Sequence, residues 1–68
     1  MIDIDFWTKK DGHIKFLRAW GGVVPNIGDT VELCWNDGER AREDEYLVVG
    51  RKISDRLSTW VTIILKPL

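Results

Sequence analysis

The chain begins with a clean alternation of apolar and polar positions. In IDIDFW, Ile2, Ile4 and Phe6 fall on one face of an extended segment, and Asp3, Asp5 and Trp7 on the other. The period of two predicts a strand from Ile2 to Trp7. It also leaves a tryptophan among aspartates, on the face that should be wet. Lys10-Asp11-Gly12 comes next as a hairpin turn, because Asp-Gly accepts positive φ. A second strand is expected from His13 to Trp20, with Ile14 and Phe16 inward and His13 and Lys15 outward. Alternation blurs near Leu17, the mark of a bulge or bend, and Gly21-Gly22 ends the segment.

In VVPNIGDTVEL, Pro25 lacks an amide donor and does not suit a central strand. Gly28 supplies the positive φ of a tight turn. A third strand runs from Thr30 to Trp35, with Val31, Leu33 and Trp35 on the core face and Thr30, Glu32 and Cys34 on the other. Asn36-Asp37-Gly38 is a second turn, and the polar stretch ERARED reads as a long hairpin connection with room for a single helical turn. A fourth strand, Glu45 to Ile53, is apolar on both faces near its centre. Its inward set is either Leu47 and Val49 or Tyr46 and Val48, and Gly50 marks a bend. After SDRLS, a fifth strand covers Thr59 to Lys66, with Val61, Ile63 and Leu65 on one face and Trp60, Thr62 and Ile64 on the other.

Five short antiparallel strands in 68 residues must curl into a small barrel or bury an open face in a partner. The expected fold is a single all-β domain over residues 1–68, a small five-stranded antiparallel barrel. A domain of this size buries only about 60% of the surface its unfolded chain exposes. The composition compensates: 44% of residues are hydrophobic and four are Trp. If the first and last strands pair antiparallel, Trp7 and Trp60 become cross-strand neighbours on the outer face, a contact worth about 0.2–1 kcal/mol.

The pattern P-x-x-G-D-x-V-x-L, carried by Pro25, Gly28, Asp29, Val31 and Leu33, precedes Tyr46, Val48 and Arg51 in EYLVVGR and the closing VTIILKPL. Together these resemble the SH3-like small barrels of bacteria and their phages, and the Gly-Asp turn is similar to that of Tudor-like and KOW-like barrels. The resemblance covers most of the chain and implies a fold rather than an activity. ERARED is longer than the hairpin such barrels would lead one to expect. Plasmid-type dihydrofolate reductases are SH3-like barrels whose shared pore is lined by a Val-Gln-Ile-Tyr strand. This chain has Val61-Thr62-Ile63-Ile64 there and no Gln at all, so that activity does not carry over.

Composition narrows the chemistry further. With one His and one Cys, no zinc site forms within one chain, and nothing in the sequence brings His13 and Cys34 together as a nucleophile and base. Asp3, Asp5 and Asp11 read as solubilising charges, and no Gly-rich stretch has phosphate-binding spacing. The expectation is a non-enzyme with no cofactor and no metal. A lone cysteine cannot form an internal disulfide, no segment is apolar enough to span a membrane, and MIDIDFW lacks the basic start of a leader. A cytoplasmic protein is expected.

Binding remains. Trp is enriched at the energetic centres of protein interfaces. Trp7 and Trp60 are the expected contact patch, with Ile64 beside them and Trp20, Lys10 and Arg56 at its margin. The expected partner is another protein, with self-association as one form of it. The alternative is a nucleic-acid-binding barrel using Lys9, Lys10, Lys15 and Arg18 around the first hairpin, near Trp7 and Trp20. The net charge of -1 weighs against it.

Overall fold

The computed structural model describes residues 3–17, 24–55 and 60–68. Its strands are β1 (Asp3–Thr8), β2 (Gly12–Leu17), β3 (Thr30–Asn36), β4 (Ala41–Ser54) and β5 (Trp60–Pro67). They form one sheet in the order β2-β1-β5-β4-β3. Among the described residues the ladder does not close between β2 and β3. The sheet curls instead, so that Lys15 Nζ on β2 donates to the Cys34 carbonyl on β3 at 2.8 Å. The result is an all-β half-barrel with its core on the concave side.

One pair departs from the antiparallel expectation. β1 and β5 run parallel, with Asp3 opposite Trp60 and Trp7 opposite Ile64. The reason is parity. Each consecutive strand reverses the chain, so the first and fifth point the same way. Trp7 and Trp60 are therefore not neighbours. Four residues of register separate them, about 13 Å at the rise of a strand.

Ile4, Phe6, Leu33, Tyr46, Val48, Val61, Ile63 and Leu65 make the buried core, with Ile14, Leu17, Val24, Val31 and Trp35 packed against it. Strands β1, β3 and β5 keep the faces that alternation gives them. On β4 the inward pair is Tyr46 and Val48, and a bulge between Val48 and Gly50 leaves Val49 44% exposed.

Two expectations fail locally. Phe16 is 49% exposed rather than inward. A bulge opposite Phe6 and Trp7 inserts Ile14 as an extra residue, so Lys15 faces Phe6 and Phe16 faces Asp5. ERARED is not a connection. Ala41 to Asp44 belong to β4 and pair with Asn36 back to Leu33. The turn is tighter: Asp37 Oδ1 accepts the amides of Glu39 and Arg40, each at 3.0 Å, and Gly38 takes φ +95°. Those two donors hold the Asp37 carboxyl below the ordinary aspartate range.

Candidate functional site

The outer face of β1 and β5 carries the aromatic lead. Across the sheet, His13, Trp7, Ile64 and Gly50 form one row. The next row holds Phe16, Asp5, Thr62 and Lys52. The third holds Asp3, Trp60 and Ser54. Trp7 and Trp60 are both half-buried and stand outside the core cluster.

Trp7 and Ile64 separate two depressions. One is an open groove of about 610 Å³ whose apolar lining is Trp7, Val49, Ile64, Leu65 and Pro67. The exposed Lys9, Lys10 and Lys66 line it as well. The other, of about 290 Å³, adds His13, Lys52 and Thr62 around the same Trp7 and Ile64. Gly50 packs closely behind the Ile64 wall of the groove: a Cβ there would come within 3.2 Å of Ile64 Cδ1. Among the described residues, Lys9, Lys10, Lys52 and Lys66 enter no ion pair.

The wet face is thus mixed. Asp5 is only 7% exposed. Its Oδ2 lies 2.6 Å from His13 Nδ1 and accepts from the Thr62 hydroxyl at 3.4 Å. Asp5 therefore spends its charge within the sheet rather than on the lysines beside Trp7; Lys10 borders a separate depression that also holds Asp11, Asp44 and Glu45, without forming an ion pair there.

Of the residues expected at the site, Trp7, Ile64 and Lys10 are brought together. Trp60 is set apart by the parallel register. Trp20 and Arg56 lie outside the described residues, as does Arg18. Lys15 is tied to β3 and does not join the groove. Val49, Lys52, Lys66 and Pro67 were not singled out by the sequence, although the parity of the fifth strand already places Lys66 on the outer face with Ile64.

A second cluster lies at the core's margin. Arg42 and Asp44, on the inward side of β4, form an ion pair at 3.0 Å. The Arg42 guanidinium sits 4.7 Å from the Trp35 ring centroid. Trp35 Nε1 donates to the Tyr46 phenol oxygen at 3.2 Å, and the phenol lies 3.4 Å from Asp44 Oδ2. Burial pushes the Tyr46 phenol up from its ordinary value, so it stays an O–H donor. Every polar group here is occupied by another. The arrangement locks the polar start of β4 onto the core.

The third feature is acidic. On the outer face of β3 and β4, Glu32 faces Glu45 and Cys34 faces Glu43. The neighbouring Glu32 carboxylate raises the Glu43 carboxyl above the usual range. His13 is held by Asp5 rather than by the exposed Cys34. Among the described residues no group of His, Cys, Asp and Glu is arranged to hold a metal ion, and no helix is long and apolar enough to cross a membrane. No family model matches the chain, and no curated protein and no solved structure matches it.

Proposed function

We propose that this chain is a non-enzymatic binding module that docks another protein in the groove beside Trp7. The observation that carries the reading is the pairing of an apolar groove with lysines that have no ion-pair partner among the described residues. Exposed apolar surface of this kind marks contact sites. The cations select what docks: a surface presenting an apolar side chain flanked by carboxylates. The sequence likeness to SH3-like small barrels of bacteria and phages bears on the fold alone, and the single Cys34 suits a reducing, cytoplasmic setting.

The test is NMR shift mapping with two synthetic peptides, one with Glu and Asp around a Leu-Trp pair, the other with Lys in place of the acids. The acidic peptide should move the Trp7 indole, Ile64 and Val49 signals, and the basic one should not. Trp7→Ala should weaken binding by about 2 kcal/mol, or roughly thirtyfold. Equal response to both peptides would sink the reading.

The same cations favour one other reading, single-stranded nucleic acid stacked on Trp7. An oligonucleotide of mixed sequence separates the two. Phosphate contacts lose affinity steeply with added salt, whereas an aromatic protein contact is far less sensitive.

A further inference from the structure

We infer that the open seam between β2 and β3 is a second docking site, independent of the Trp7 groove. Its occupant is an extended segment of another protein, alternating apolar and basic residues, that adds to the free edge of β3.

β2 and β3 are the two ends of the sheet, and an end strand offers one row of its amides and carbonyls to a further strand. The register tells which residues of β3 supply that row. The Val48 amide donates to the Asp29 carbonyl, and Thr30 stands opposite Leu47. Backbone direction alternates along an antiparallel ladder, so Val31, Leu33 and Trp35 turn their amides and carbonyls toward β4. Glu32 and Cys34 turn theirs toward the seam. The Lys15 ammonium, which reaches the Cys34 carbonyl from β2, agrees with that direction. Among the described residues, no other hydrogen bond reaches the amides and carbonyls of Glu32 and Cys34.

The side chains at the seam specify what pairs there. On β1 and β5, in the middle of the sheet, Ile4, Phe6, Val61 and Ile63 are fully buried. The apolar residues left partly exposed at the core's margin include Ile14 and Leu17 on β2 and Val31 and Trp35 on β3, the strands that flank the seam. A strand seated beside β3 lays every second side chain over that margin, and its other side chains fall on the outer face beside Glu32. There Glu32 stands opposite Glu45 and raises the neighbouring Glu43 carboxyl. None of these three acids enters an ion pair among the described residues. Lys or Arg at the outward positions of the incoming strand supplies the countercharge, and acids there are repelled. Main-chain pairing then gives the affinity and the alternation of side chains gives the specificity.

The first test is amide hydrogen exchange on the free protein. Glu32 and Cys34 should exchange about a hundredfold faster than Val31 and Leu33. Equal protection of all four would mean that the edge is already paired, and the inference would fall. A peptide alternating Lys and Val is then titrated by NMR. It should slow exchange at Glu32 and Cys34 and leave the Trp7 signals in place. Methylating alternate backbone nitrogens of the peptide, at the Lys or at the Val positions, should weaken binding about tenfold in at least one of the two patterns. A peptide with Glu in place of Lys should not bind. Glu32→Lys, at an exposed position, should lose the preference for the basic peptide. A Lys-Val peptide that does not bind, that binds equally well in both methylated forms, or that Glu32→Lys still prefers as the wild type does, would overturn the inference.

Discussion

At the scale of single residues, the charges of the half-barrel respond to their nearest neighbours. Glu43 is raised by Glu32, so the folded state holds that proton more tightly than the unfolded chain does. Its contribution is present below the ordinary glutamate range and is lost as pH rises through the folded value. Glu32→Gln removes the cause. A carbon-detected titration of Glu43 should then return toward ordinary glutamate behaviour, and an unchanged curve would mean that Glu32 is not responsible. Tyr46 has the same sign at the other end of the scale. Burial raises its phenol, so stability is full below about pH 10 and falls as pH climbs through the folded value. In Tyr46→Phe the urea midpoint should drop at neutral pH, because Trp35 Nε1 loses its acceptor. The further drop between pH 9 and 11 should be smaller than in the wild type. These side chains were legible in EYLVVGR and TVELCW only as candidates, because alternation leaves the parity of an apolar run open. Packing decides it: Tyr46 alone on β4 can meet both the core and the Trp35 indole.

At the scale of elements, the turns obey their local sequences. Gly12, Gly28 and Gly38 all take positive φ. Gly28 matters most for the fold, because its amide donates to the Val48 carbonyl while the Val48 amide donates to the Asp29 carbonyl. The turn before β3 is thereby pinned to the centre of β4. Gly28→Ala should cost about 1–2 kcal/mol, read as a lower urea midpoint with an unchanged slope. The bulges were less legible. HIKFL alternates in sequence, yet Phe16 points out, because an extra residue at Ile14 reverses the phase of the residues after it. A bulge relieves strain between two curled strands, and neither strand's own pattern records it. ERARED likewise alternates in exposure once it is paired with β3. Nothing apolar announces it as a strand, since its inward residues, Arg42 and Asp44, cover Trp35 rather than fill the core.

At the scale of the whole molecule, the open seam is the weak line. β2 and β3 are the two ends of the hydrogen-bonded order, and the Lys15 ammonium reaches across to the Cys34 carbonyl. Lys15→Met keeps the length of the side chain and removes the donor. Amide hydrogen exchange along β3 should speed up while that of β1 and β5, in the middle of the sheet, stays the same. If β1 and β5 speed up equally, the tie supports the entire fold rather than the seam. The same curl places the Trp7 groove. It brings Val49 from β4, Pro67 from β5 and Lys9 from the turn after β1 to one surface. Gly50→Ala should reshape that surface without unfolding the chain, because Ile64 must give way by a few tenths of an ångström. A shifted Ile64 methyl signal with a nearly unchanged melting temperature is the expected outcome.

The sequence by itself determined the class of the molecule. Period-two alternation and aromatic, β-branched segments between Asp-Gly and Asn-Asp-Gly turns are local properties, and they specified an all-β chain, its turns and most of its core. They also put Trp7 and Ile64 on one outer face. Tertiary structure decided which strands meet and in which direction. That set Trp7 beside Ile64 and parted it from Trp60, because five consecutive strands leave the first and last parallel. It decided that Asp5 would be consumed by His13 and Thr62, and that lysines from separate parts of the chain would share one groove. Pairing and charge proximity are properties of folded space. A linear pattern gives the face of a residue, but its neighbours on that face depend on register, and register is set only when the whole sheet curls around its core.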